Sequence, residues 1–132
     1  MRSPRIALLA AALVVLASVP AQAQTPHSWG HTGAPDRTLK SGCGSYNYHY
    51  QVKPPPGDWM LETFLLDPNK KQVASGFFLS PADPKKGQSS FAFCTLNTVP
   101  GKFTIKAKVT VTNPNGRRRW LEPSTFRLRA PA

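Results

Sequence analysis

Three histidines, two cysteines, six acids and a run of three arginines ending in tryptophan are the residues whose types could do chemistry. His27 and His31 stand four apart, a spacing that pairs two ligands only on a helix, and Pro26, Gly30, Gly33 and Pro35 predict a loose arm there instead. His49 falls on the polar phase of a predicted strand, and no cysteine or carboxylate cluster accompanies any of the three. A copper centre built on an amino-terminal His would need that residue first, whereas cleavage after Ala23 leaves Gln24 first and His27 fourth. Copper held by a free thiol fails as well, because Cys94 lacks histidines nearby. The acids Asp36, Asp58, Glu62, Asp67, Asp83 and Glu122 are scattered over turns and strand ends, with no recognisable pair for glycoside hydrolysis. Neither a nucleophile turn of the Ser-His-Asp kind nor a glycine-rich phosphate loop is present. These residues predict a protein that is not an enzyme and that carries no metal and no cofactor. What stays is a cysteine pair, Cys43 and Cys94, and the basic run Arg117-Arg118-Arg119-Trp120.

The compartment follows from the first residues. Arg2 and Arg5 precede an apolar run over 6–19, closed by Pro20 and followed by the small-residue pattern Ala21-Gln22-Ala23. This is the layout of a cleaved signal peptide, 1–23. The apolar run is too short to span a bilayer, which takes about 18 residues or more, and no transmembrane segment is expected in the mature chain. The 132 residues carry 17 Lys plus Arg against 6 Asp plus Glu, a formal charge of +11, which becomes +9 when Arg2 and Arg5 leave with the leader. About 109 residues then make one thin domain, which benefits from a covalent tie in an oxidising compartment. Cys43 and Cys94 allow a single intramolecular connectivity, closing a loop of about 52 residues.

The elements that must position these groups read as strands. After a polar arm over 24–37, the mature chain from 38 onward consists of short apolar or alternating runs separated by Pro, Gly, Asn and Asp. The clearest is 102–112, where Phe103, Ile105, Ala107, Val109 and Val111 alternate with lysines and threonines. Asn113-Pro114-Asn115-Gly116 suits a type I turn and predicts a hairpin. If Asn113 opposes Gly116, then Val109 faces Trp120, Phe103 faces Phe126 and Gly101 faces Leu128, with the large apolar residues other than Leu121 on the core side. The same register puts Lys102, Lys106, Lys108, Arg117, Arg119, Arg127 and Arg129 on one outer face. Pro123 removes a ladder donor and signals a bulge or an edge in the last strand.

Upstream, Tyr46, Tyr48, Tyr50 and Val52 share one phase and Phe91 and Phe93 another, so if these face the core, Cys43 and Cys94 both point outward. That predicts a bridge joining neighbouring strands of one sheet at an outer face. Asp67-Pro68-Asn69-Lys70-Lys71 predicts a second hairpin turn, and proline-rich connections at 53–57 and 81–87 exclude helices. Strands near 38–41, 45–52, 58–66, 72–79, 88–96, 102–112 and 118–129 make about seven, in an all-β antiparallel two-sheet sandwich over 38–132.

Pro100-Gly101-Lys102-Phe103-Thr104-Ile105, with the alternation and Asn-Gly turn that follow, resembles the penultimate strand of bacterial immunoglobulin-like and fibronectin type III-like domains. The resemblance covers about 38–130 and is specific at 99–116. It implies an immunoglobulin-like sandwich used for adhesion, scaffolding or ligand binding, and it carries no catalytic residue. The chain departs from antibody-type domains in lacking a Cys-Trp-Cys core. The expected function is a secreted or periplasmic binding or structural module whose basic hairpin face meets an anionic envelope polymer, an acidic polysaccharide or an acidic protein. Nucleic acid is disfavoured by the compartment and by Trp120 and Phe126 pointing inward, where they cannot stack on bases. The alternative is a secreted effector or hydrolase inhibitor that inserts one of the proline-rich loops into a partner's cleft.

Overall fold

A computed structural model describes residues 28–112 and 116–131 of the chain. The expected leader and the tip of the last hairpin turn, 113–115, lie outside the described residues, as does His27. The described residues form nine strands: β1 (Gly30–Gly33), β2 (Arg37–Thr38), β3 (Cys43–Val52), β4 (Trp59–Leu66), β5 (Gln72–Leu79), β6 (Lys86–Cys94), β7 (Gly101–Val111), β8 (Arg117–Trp120) and β9 (Ser124–Arg129). One sheet runs β1-β3-β6; the other runs β2-β9-β7-β4-β5, with β8 also paired to β7. The pairings are antiparallel except that of β2 with β9. This interleaved order over two sheets makes the fold an immunoglobulin-like sandwich.

Alternation drives each layer. On β3 the tyrosines Tyr46, Tyr48 and Tyr50 and Val52 are buried; Tyr46 stacks on Phe93 and Tyr48 on Phe91 of β6, the latter pair with centroids 3.9 Å apart, and Tyr50 meets Phe78 of β5. The opposite wall comes from Phe103, Ile105, Val109 and Val111 of β7, Leu61 and Leu65 of β4, and Phe126 and Leu128 of β9. The layers are also pinned by a hydrogen bond between the Tyr48 hydroxyl and Thr63 Oγ1, 2.9 Å and fully buried. Gly76 of β5 makes room for it: a Cβ there would collide with both oxygens. Burial raises the Tyr48 phenol above its ordinary value of 10.0, with the hydrogen bonds to Thr63 and Ser89 acting the other way.

Cys43 and Cys94 are direct partners across β3 and β6, and they are disulfide-bonded. Both follow the outward phase of their strands, so the bridge staples one sheet and does not cross the core. In the 67–71 hairpin turn the Asp67 carboxylate accepts from the amides of Asn69 and Lys71 at 2.9 and 3.0 Å.

The structure corrects the expectation at three places. The polar arm contributes β1: Trp29 is buried and Thr32 pairs with Tyr50, so the ordered sandwich begins well before residue 38. Its alternation spans four residues behind a single large apolar anchor, too little for a periodic signal. Gly30 sits at φ +144°, and its missing Cβ leaves room for the Gln51 carbonyl. The first expected strand, 38–41, is reduced to the two-residue β2, and Asp36 ties the same segment to β9 by accepting from the Arg127 amide at 2.7 Å. The last expected strand, 118–129, is two strands, β8 and β9, separated by residues 121–123.

Candidate basic and aromatic face

The break between β8 and β9 decides what the outer face of the six-stranded sheet presents. On β9 the pairing is the expected one, Gly101 with Leu128, Lys102 with Arg127 and Phe103 with Phe126. On β8 it is shifted by one: Lys108 faces Trp120, Val109 faces Arg119, Thr110 faces Arg118 and Val111 faces Arg117. One extra residue is therefore accommodated in 121–123. The Leu121 amide donates to the Ala107 carbonyl at 2.8 Å and its side chain turns into the core, while Pro123 has no amide to lose.

Because side chains alternate along a strand, this shift exchanges the two faces of β8. Trp120, expected inside, is 56% exposed and sits with Arg118 on the outer face. Arg117 and Arg119, expected outside, take the phase of Val109 and Val111 instead. Their guanidinium carbons lie 5.4 and 4.9 Å from the ring centre of buried Trp29, closing the sandwich at the β1 end. Of the seven basic residues expected on one face, Lys102, Lys106, Lys108, Arg127 and Arg129 are brought together there, and Arg117 and Arg119 are not.

The face holds more than charge. Register places Phe64 of β4 beside Lys106, and Phe77 of β5 beside Glu62, which is itself beside Lys108. The Phe64 and Trp120 rings are 6.0 Å apart. Lys108 Nζ is 3.2 Å from Glu62 Oε2 and 5.5 Å from the Trp120 ring centre, so the lysine is held between a carboxylate and an indole. Beside it, Lys106, Trp120, Leu121 and Pro123 line an open cleft of about 300 Å³. Arg118, Trp120, Phe64 and Phe77 were missed by the sequence reading. The adjacent pair Trp120-Leu121, in which one register can bury only one, together with Pro123 two residues later, was the available sign.

The other sheet turns a polar outer face to solvent, with His31 on β1 and His49 on β3, ring centres 6.3 Å apart. Among the described residues no three His, Cys, Asp or Glu side chains gather as a metal site would need, and no helix is long and apolar enough to cross a membrane. The proline-rich connection at 81–87 lies along the sandwich: the Tyr50 hydroxyl donates to the Pro84 carbonyl at 3.0 Å and the Val52 amide to that of Lys85 at 2.7 Å.

No family model matches the chain, and no curated protein matches it. Among solved structures it is similar to the CARDB domain of a Pyrococcus furiosus protein, solved in complex with di-metal ions. The two are 14% identical with a TM-score of 0.42, over 78% of this chain and 90% of that one.

Proposed function

We propose that this β-sandwich is an exported, non-catalytic module that binds an anionic polymer of the cell envelope through the outer face of its six-stranded sheet. The observation that supports this reading is the gathering of Lys102, Lys106, Lys108, Arg127 and Arg129 on that one face. A field built from several like charges on a flat surface attracts polyanions and weakens as salt screens it, the screening length falling from about 10 Å at 0.1 M to about 3 Å at 1 M. Export follows from the expected leader, 1–23, and agrees with the Cys43–Cys94 disulfide, which an oxidising compartment sustains. The alternative, an inhibitor acting through 53–57 or 81–87, stands second because both connections are tied to the sandwich, at Lys53 by the Trp29 carbonyl and at Pro84 and Lys85 by Tyr50 and Val52.

The test is binding to a carboxylated polymer at rising salt. The wild type is expected to lose affinity at least tenfold between 0.05 and 0.5 M NaCl, a range over which the screening length more than halves. A variant carrying Lys102→Gln, Lys106→Gln and Arg127→Gln is expected to show that loss already at low salt. Salt-independent binding, or an unaffected triple variant, would exclude the reading.

A further inference from the structure

Charge alone does not account for the aromatic half of the face, and that half points to the class of polymer. We infer that Trp120 is a stacking platform for a sugar ring, and that the face takes an acidic polysaccharide built of carboxylated pyranose units. The inference rests on the electrostatic reading above and narrows it. An indole has two apolar π faces with negative quadrupole character, which complement the C–H face of a pyranose. Here the ring is set for that use: it is 56% exposed, the Phe64 ring is 6.0 Å away, and Lys108, whose ammonium stands 5.5 Å over the indole, is held by Glu62. Such a ring loses little conformational freedom when a ligand arrives, because its direction is set by the 121–123 bulge and its packing by Lys108.

The cations complete the match. Lys106 lines the cleft next to Trp120, where a carboxylate on a stacked ring would find it. Lys102 and Arg127 face each other farther down the sheet, roughly 20 Å from Lys108 at a strand rise of about 3.4 Å per residue. A chain lying along β7 therefore meets a ring-binding position at one end and cations along its length. A polyphosphate offers the charge with no ring to stack. A lipid surface would meet Trp120 and the exposed Phe77 as well as the cations, and anionic vesicles are therefore one arm of the test. Single-stranded nucleic acid offers rings and charge, and of the two grounds that disfavoured it the structure removes the inward Trp120. The compartment ground stands on the disulfide and separates the two ring-bearing polymers.

The experiment compares wild type, Trp120→Ala and Trp120→Phe on four probes at fixed ionic strength, by titration calorimetry: polygalacturonate, inorganic polyphosphate, vesicles containing anionic phospholipid, and oligo-dT. The expected result is wild-type binding to polygalacturonate that falls roughly tenfold in Trp120→Ala and recovers most of the way in Trp120→Phe, with polyphosphate affinity changed less than twofold. Thermal denaturation of each variant reports folding, which an exposed Trp120 should leave nearly unchanged. If Trp120→Ala binds both polymers like wild type, or loses both equally, the stacking platform is wrong while the electrostatic reading stands. If wild type prefers oligo-dT or vesicles to polygalacturonate, the polysaccharide assignment is overturned. If wild type binds none of the four, both readings fall together.

Discussion

Changing Arg117 and Arg119 together to Gln should weaken the fold and spare the affinity for polyanions, although both belong to the same basic run as Arg118. Their guanidinium groups lie 5.4 and 4.9 Å from the centre of the Trp29 ring, which is only 3% exposed. A cation over an indole contributes about 0.5–1 kcal/mol at an exposed site, so the pair is worth about 1–2 kcal/mol. The stems also cover the ring. Trp buries about 150–250 Å², and uncovering a fifth of that, roughly 40 Å², costs about 1 kcal/mol at about 25 cal/mol per Å². Gln keeps part of the stem, so the double Gln variant should lose about 1–2 kcal/mol and the double Ala variant about 2–3 kcal/mol. Urea unfolding followed by far-ultraviolet circular dichroism measures this as a lower midpoint at constant slope, and acrylamide should quench Trp29 more readily in the Ala variant. The reasoning fails if the double Gln variant unfolds at the wild-type midpoint while losing polymer binding as the Lys102→Gln, Lys106→Gln, Arg127→Gln variant does. That result would return both arginines to the outer face and β8 to the register of β9.

Three further outcomes are expected. Tyr48→Phe should cost about 1–3 kcal/mol by leaving Thr63 Oγ1 buried without its partner, whereas Tyr48→Phe with Thr63→Val should recover most of the loss, a coupling that a double-mutant cycle in urea reads directly. Because burial raises the Tyr48 phenol, its neutral form stabilises the fold fully below the unfolded value of about 10, and that contribution is lost as pH rises through the higher folded value; the Phe variant should show a shallower alkaline decline, with raised Tyr50 contributing what remains. Reduction of the Cys43–Cys94 bridge, whose ends are 51 residues apart, should lower stability by about 4 kcal/mol in the chain-entropy account, and coincident urea curves with and without reductant would contradict it.

Much of the sandwich was legible because its layers are built on strict alternation. Tyr46, Tyr48 and Tyr50 set the inward phase of β3, and the same phase sent Cys43 outward to meet Cys94. Phe103 opposite Phe126 followed from the β7 alternation and a short turn. The phase of Trp120 was not legible, because alternation cannot register an inserted residue. In Trp120-Leu121 one side chain of each phase is large and apolar, and the simplest register buried the larger one. The chain buries Leu121 and leaves Trp120 out, since 121–123 holds an extra residue that a proline can occupy without losing a ladder bond. Strand β1 stayed hidden for a different reason. Its place is set by Trp29 reaching the core and by a glycine admitting the Gln51 carbonyl, and both are tertiary facts.

The same inserted residue joins the stability of the domain to its candidate site. With β8 in the register of β9, Arg117 and Arg119 would face outward, Trp29 would lose its cover, and the outer face would carry charge without an exposed indole. The shift by one reverses all of these at once: two arginines close the edge over Trp29, and Trp120 with Arg118 joins Lys106 and Lys108 outside. A run of four residues thereby divides by parity, Arg117 and Arg119 covering Trp29 and Arg118 and Trp120 lying on the outer face. This division explains why a contiguous basic motif is a poor guide to a binding surface on a strand, where each step of one residue changes the side of the sheet. It also ties the proposed binding face to the bulge at Leu121 and Pro123, which sets the side on which Trp120 lies.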